Sequence, residues 1–303
     1  MNSSLHLRFD GGAPARTERS SIVDSTSSVG TWRLVTCIGE GRWTRVFRAQ
    51  PLDAPVDGPA DYAVKLLKPE LIDDLVARRL LQREAHVARL VTHPNLTSVL
   101  VDHSDAPPYF LVLPYLPGVT LSEVVQRQPL ASVPLAVWIA RQTAEALDAL
   151  HTEGWLHGDV KPGNLRVAPL GHVTLLDLGL AFRHGTTAAE ALTGTVAYMA
   201  PERFSATRTA EGATDVYSLG VTLFELLTGR LPYESGEPGA MVQAHLEQSP
   251  AELRRLHPQL PSQLAQLVRT MLAKEPLRRP VGEELIESLS RLEIETFHLR
   301  TAA

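Results

Sequence analysis

The run His157-Gly158-Asp159-Val160-Lys161-Pro162-Gly163-Asn164 constrains this chain more than any other segment, because it sets a carboxylate, an ammonium and an amide close together. Pro162 and Gly163 bar a continuous helix or strand, so the run is a loop. Thirteen residues beyond Asn164 the apolar stretch Val173 to Leu176 leads into Asp177-Leu178-Gly179. Two short β-like pieces, Leu165 to Val167 and Val173 to Leu176, lie between the loops and place a second hard oxygen ligand near the first. Asp159 can accept a proton from a hydroxyl. Lys161 can neutralise a phosphate. Asn164 and Asp177 can hold Mg²⁺, which takes a few carboxylate or amide oxygens together with phosphates and water. Composition sharpens the point: of 29 basic residues only Lys65, Lys68, Lys161 and Lys274 are lysine, and Asn2, Asn95 and Asn164 are the only asparagines. A lysine or asparagine retained against that bias points to specific chemistry, since Arg and Lys are not interchangeable.

Upstream, β-type runs are expected at Trp32 to Ile38, Thr44 to Ala49 and Tyr62 to Leu66, with a Pro- and Asp-rich loop over Pro51 to Asp61. Between the first two runs, Gly39 and Gly41 let a tight hairpin bring backbone N–H groups over phosphates; by itself such a hairpin is equally an ordinary turn. Lys65 follows in the next strand, where its ammonium could meet phosphates or snorkel to solvent. A helix is expected over Leu71 to Val91, with Glu84 among Leu81, Val87, Ala88 and Leu90 on the inner face, placed to hold Lys65. Strands are expected at Thr97 to Val101 and Tyr109 to Leu113. This makes a small lobe of about five strands and one helix. After the Pro114 to Gly118 hinge the chain turns helical: a capping box at Thr120 and Glu123, then helices over Pro134 to His151, Asp215 to Thr228, Gly239 to Glu247, Gln263 to Lys274 and Gly282 to Glu293. Residues 1–30 read as a flexible tail and 296–303 as a short C-terminal one.

A net charge of −5 gives no general attraction to nucleic acid. The longest charge-free stretch, Ala106 to Ser122, is broken by Pro107, Pro108, Pro114 and Pro117, so no membrane segment is expected. A single cysteine, Cys37, and an N-terminus without the apolar core of a signal peptide fit a cytoplasmic protein.

Together these segments resemble the eukaryotic-like Ser/Thr protein kinases of bacteria, over about Trp32 to Leu292. The resemblance includes Gly194-Thr195, Tyr198-Met199-Ala200-Pro201-Glu202, the Asp215 helix and Arg279-Pro280. It implies an α+β, two-lobed kinase fold: an N-lobe over 31–113, a hinge over 114–118 and a C-lobe over 119–295. It implies transfer of the ATP γ-phosphoryl group to Ser/Thr hydroxyls of protein substrates, with Mg²⁺ held by Asn164 and Asp177. Asp159 would be the catalytic base, with Lys161, Asn164, Lys65 and Glu84 as its catalytic company. The nucleotide would lie among Ile38, Gly39, Glu40, Gly41, Val46, Ala63, Lys65, the gatekeeper Leu113, the hinge residues Pro114 and Leu116, and Leu165. By the same resemblance Glu202 pairs with Arg279 and Asp215 caps the catalytic-loop backbone. The Ala-Pro-Glu segment speaks against a small-molecule kinase and Lys161 against a tyrosine kinase. The alternative is a nucleotide-binding pseudokinase acting as a scaffold.

Four positions depart from the family pattern. Thr44 replaces the third glycine of the loop, and Leu178 the usual Phe. Arg166 stands where an apolar residue packs beneath the adenine, and its stem could still cover the base. Gly158 replaces the Arg that grips a phosphate on the activation loop, so phosphate-gated activation is not expected.

Overall fold

Strand alternation settles the first layer. In the computed structural model, which describes residues 28–127, 131–187, 194–205, 207–234 and 237–297, six strands form one antiparallel sheet. They are β1 (Ser28–Val29), β2 (Trp32–Glu40), β3 (Thr44–Pro51), β4 (Tyr62–Leu67), β5 (Val101–His103) and β6 (Phe110–Pro114), in the order β1-β2-β3-β4-β6-β5. Successive side chains point to opposite faces. Val64 therefore joins Leu34, Phe47, Ala49 and Val112 in a core on one side. Leu67 meets Leu81, Ala85 and Leu111 on the other, beneath the helix α1 (Leu75–Leu90). Lys65 shares the face of Leu67.

Helix α1 starts later than Leu71 because Asp74 caps it, its carboxylate accepting the Val76 and Ala77 N–H groups at 2.8 and 3.1 Å. Pro69–Leu71 forms a separate 3₁₀ turn. Leu90, expected on the inner face, is half exposed. The strand expected at Thr97 to Val101 begins only at Val101. Its first residues bond the other lobe instead: Thr97 N–H donates to Leu175 O at 2.9 Å, and Leu175 N–H to Asn95 O at 2.8 Å. Sequence pattern registers an apolar extended run but not which lobe it pairs with.

The second layer is helical. α2 (Leu121–Arg127) opens with the expected Thr120/Glu123 box. α3 (Val133–Thr152) packs on α4 (Gly212–Thr228), and α4 is buried along nearly its whole length. α5 (Pro238–Glu247), α6 (Leu253–Leu256), α7 (Ser262–Met271) and α8 (Glu283–Thr296) complete the lobe. Short strands β7 (Val119–Thr120), β9 (Leu165–Val167) and β10 (Val173–Leu175) form a three-stranded sheet under the cleft, and β8 (Trp155–Leu156) pairs with β11 (Phe182–Arg183).

Two boundaries differ from expectation. Ser28–Val29 belongs to the sheet, with Val29 buried, so the tail does not extend to residue 30. Thr296 is buried within α8 and donates its hydroxyl to Leu292 O at 2.7 Å, so the terminal tail does not start there. Residues 1–27 and 298–303 lie outside the described residues.

One buried ion pair ties the layers of the C-lobe. Arg279 donates both terminal nitrogens to Glu202, at 2.6 and 2.9 Å, with neither side chain more than 1% exposed. Thr214 Oγ1 adds a third donor to Glu202, and Arg279 also serves the Ala213 and Ala273 carbonyls. Removing one partner leaves a charge buried without its counter-ion. Arg279→Met is therefore expected to cost about 3–5 kcal/mol of stability in urea titration, and a loss below about 1 kcal/mol contradicts this.

Candidate active site

The site begins with one ammonium. Lys65 Nζ lies 2.5 Å from Glu84 Oε2 and 2.9 Å from Asp177 Oδ1, so a strand, a helix and a C-lobe loop meet at one cation. Burial alone would lower the Lys65 pKa, but the Asp177 and Glu84 carboxylates outweigh it and hold the group charged, above its ordinary value. Burial pushes Glu84 up to about 7, with Lys65 opposing and Asp177 adding to the rise. Partial desolvation works against the Asp177 carboxylate, yet Lys65 keeps it below its usual range. Asp177 has φ +65°, a left-handed backbone that non-glycine residues rarely adopt. Gly179 lets α1 come this close: a Cβ there would lie 3.2 Å from Leu80 O.

The catalytic loop is held from behind. Asp215 Oδ1 accepts the Gly158 N–H at 2.9 Å, and Oδ2 accepts the His157 N–H at 2.8 Å and lies 2.9 Å from His151 Nε2. Burial opposes the Asp215 charge, but His151 and the loop amides keep its pKa low. His157 is fully buried. Its Nδ1 accepts the Asp159 N–H at 3.2 Å, so Nε2 carries the proton and donates to Leu176 O at 2.9 Å. This imidazole staples the catalytic loop to the strand that leads into Asp177.

Asp159, a buried residue, has both oxygens engaged. Oδ1 accepts the Thr195 N–H and hydroxyl, each at 3.0 Å. Oδ2 accepts Asn164 Nδ2 at 3.0 Å and lies 2.6 Å from Lys161 Nζ. Lys161 also donates to Thr195 Oγ1 at 2.6 Å. Because the Asn164 amine is spent on Asp159, its amide oxygen is the end offered to a cation. That oxygen and the Asp177 carboxylate, 46% exposed, suit a hard divalent ion such as Mg²⁺.

A cleft of about 380 Å³ joins these groups to the hinge. Ile38, Gly39, Glu40, Gly41, Val46, Ala63, Lys65, Leu113, Pro114 and Leu116 all line it, as do Asn164 and Asp177. Leu165 does not. It is completely buried in the C-lobe core, and Arg166 enters the cleft in its place. The signal lay in the strand alternation of Leu165-Arg166-Val167, whose two apolar side chains share the core face. Thr97 and Thr120 also line the cleft; the sequence marks Thr120 only as a helix cap and Thr97 only as the start of a strand.

The family model described as the protein kinase domain matches residues 32–289. The chain belongs to the protein kinase family. Among similar proteins, serine/threonine-protein kinase PrkC of Bacillus subtilis is 28% identical over 86% of this chain and 40% of its own length. Serine/threonine-protein kinase PknD of Mycobacterium tuberculosis is 32% identical over 84% of this chain and 38% of its own length. Serine/threonine-protein kinase pkn3 of Myxococcus xanthus is 31% identical over 85% and 49%. The chain thus spans less than half the length of these kinases.

The activation segment of this kinase domain has its own anchorage at Gly158. Gly158 sits at φ +80°, and a Cβ there would meet the Phe182 ring at 2.7 Å and Leu180 O at 2.8 Å. The guanidinium of Arg203, a buried residue beside the Ala-Pro-Glu run, stacks over that same Phe182 ring at 4.2 Å. Arg183 stacks over Trp155 at 4.2 Å and donates to Glu153 O. Farther along, Gly185 N–H donates to Ala210 O and Ala210 N–H to Thr186 O. Both ends of the segment are therefore tied without a phosphate, and Gly158 supplies no cation for one. A modification lacking differential interaction shifts no equilibrium. Replacing Thr186, Thr187 and Thr193 together by Ala, the last lying outside the described residues, is expected to change the initial rate less than about threefold. The measurement starts from dephosphorylated protein, and a lag in the wild type that the triple variant never escapes contradicts it.

Proposed function

We propose that this chain transfers the γ-phosphoryl group of ATP to a serine or threonine hydroxyl of a protein, with Mg²⁺ as the accompanying cation. The observation that carries the proposal is the assembly of Lys65, Glu84, Asn164 and Asp177 on one cleft, with the ammonium paired to both carboxylates and Asp159 hydrogen-bonded to Asn164. The chemistry is largely positioning and charge stabilisation. Lys65 sets the α and β phosphates, its own position fixed by Glu84. Asp159 takes the proton as the acceptor O–H bond breaks and a new O–P bond forms, while the bond from the γ-phosphorus to the β-phosphate oxygen breaks. Lys161 steadies the transferred group, and bound Mg²⁺ would offset the phosphate charge between Asn164 and Asp177. The adenine would lie against the hinge at Pro114 and Leu116, beneath Ile38, Val46 and Ala63.

Lys161, two residues after Asp159 and bonded to Thr195, favours Ser/Thr over Tyr acceptors, as in the named relatives. A pseudokinase scaffold is the less favoured reading, because a scaffold needs no poised base. Among the described residues no helix is long and apolar enough to cross a membrane. ATP and Mg²⁺ are cytoplasmic reagents, and we place the reaction there.

The test combines turnover on a generic protein substrate with calorimetry of Mg·ATP binding. Lys65→Met is expected to cut transfer about 10³-fold or more with the fold intact; retention within threefold of wild type would refute the role of this lysine. Asp159→Asn should abolish turnover and leave nucleotide binding nearly unchanged, whereas Asp177→Asn should weaken binding. Equal loss of binding in both variants contradicts that division of roles, and wild-type protein that binds Mg·ATP without turnover supports the scaffold.

A further inference from the structure

Lys274 is one of only four lysines in the chain, yet it does not line the cleft. Its ammonium is spent within the C-lobe: Nζ donates to His245 O at 2.6 Å, Tyr233 Oη at 2.8 Å and Ala244 O at 3.4 Å. Beside it runs a file of buried polar groups. Tyr217 on α4, Tyr233 in the loop after it and His245 on α5 are all buried, His245 completely. An ammonium has no lone pair, so Tyr233 Oη accepts from Lys274 and keeps its own proton for Tyr217 Oη, 3.5 Å away. Tyr217 Oη lies 2.9 Å from His245 Nδ1, and His245 Nε2 lies 3.1 Å from Ala197 O. A carbonyl oxygen can only accept, so Nε2 carries the proton. Burial, with Lys274 beside it, pushes the His245 pKa down to about 4. The ring is therefore neutral, and Nδ1 is a bare acceptor for the Tyr217 hydroxyl. Every donor in the file points one way, from Lys274 to Ala197.

Ala197 belongs to the turn Val196–Tyr198, which follows Thr195 directly. Thr195 bonds both Asp159 and Lys161, so this turn stands beside the base. Its three residues are half-buried. An acceptor hydroxyl that reaches Asp159 brings its own neighbouring residues against them. Tyr198 is pinned by its hydroxyl, which donates to Glu225 at 2.6 Å. For Ala197 O, the donor among the described residues is His245. We infer that His245 is a positioning residue for the protein substrate: its Nε2–H holds the Ala197 carbonyl inward and so sets the surface on which the acceptor segment lies. The inference rests on the phosphoryl-transfer reading of the site given above. Without that N–H the carbonyl faces an apolar wall and turns toward water, carrying the turn with it. Asp159, Lys161 and Thr195 keep their own bonds to one another, and the turn does not line the nucleotide cleft. The loss therefore falls on substrate affinity.

The test reads initial rates with dephosphorylated casein as acceptor, beside calorimetry of Mg·ATP binding. His245→Phe keeps a flat ring in the same packing and removes the N–H. It is expected to raise the KM for casein about tenfold or more, with kcat and the Kd of Mg·ATP within about threefold of wild type. His245→Gln restores both functions of the imidazole, since its amide carries an N–H for Ala197 O and an oxygen for the Tyr217 hydroxyl. It is expected within about threefold of wild type on all three quantities. A ring that serves packing alone predicts the opposite order, with the phenylalanine variant nearer wild type. The inference is overturned if His245→Phe leaves KM unchanged, if kcat or nucleotide binding falls in the same proportion, or if His245→Gln raises KM as much. His245→Leu repeats the measurement where the phenylalanine variant does not fold. Where neither folds, nitrogen-15 NMR of the wild-type imidazole decides: a proton on Nε2 whose signal shifts as casein saturates supports the inference, and a proton on Nδ1 or an unmoved signal overturns it. Wild-type transfer without these differences removes this inference alone. Wild-type protein that binds Mg·ATP and phosphorylates no acceptor, itself included, removes the phosphoryl-transfer reading with it.

Discussion

The Lys65 ammonium is the point on which the rest of the site depends. It is a single charge, 13% exposed, taken out of water on the face of the sheet that carries Leu67 and Leu111. Such a group is stable only where counter-charge is supplied at hydrogen-bond distance. Glu84 and Asp177 supply it from two other elements, one in each lobe. The sheet, α1 and the loop after β10 are therefore held in one relative arrangement by electrostatics that no apolar contact could direct as sharply. The left-handed backbone of Asp177 and the missing side chain at Gly179 are local costs of bringing that loop so close to α1.

A second network, centred on Asp215 and His157, does for the catalytic loop what Lys65 does for the lobes. Its members are buried and hydrogen-bonded to backbone groups, so the loop conformation is set by the C-lobe core before any substrate arrives. Asp159 then sits between Thr195, Asn164 and Lys161. The Phe182–Arg203 stack stands beside Gly158, β11 pairs with β8, and Thr186 is bonded to Ala210.

Much of this was legible in the chain itself. The loop from His157 to Asn164, the Asp177 turn and the Lys65 strand announce themselves because Lys and Asn are scarce here and glycine and proline punctuate strongly. The helices follow from apolar spacing, but not all of their ends do: Asp74 sets the start of α1, while α7 ends at Met271 rather than Lys274 and α8 runs on to Thr296 rather than Glu293. Other features depend on contacts between distant residues and leave no local pattern. The run beginning at Thr97 looks like a strand, yet its amide bonds the opposite lobe. Leu165 carries the apolar character expected beneath a base, but strand alternation sends it into the core and brings Arg166 forward. The tautomer of His157 and the stacking of Arg203 on Phe182 follow from tertiary packing alone.

The most direct test of the account asks whether Glu84 acts through Lys65. A double-mutant cycle with Lys65→Met and Glu84→Gln, read as single-turnover γ-phosphoryl transfer, answers it. If the carboxylate serves only to hold the ammonium, the double variant transfers phosphate within about threefold of Lys65→Met alone, since a residue that works through its partner adds nothing once the partner is gone. Losses that multiply across the two substitutions would contradict the account, for they would mean that the two side chains contribute independently and that the ion pair is not what sets the site.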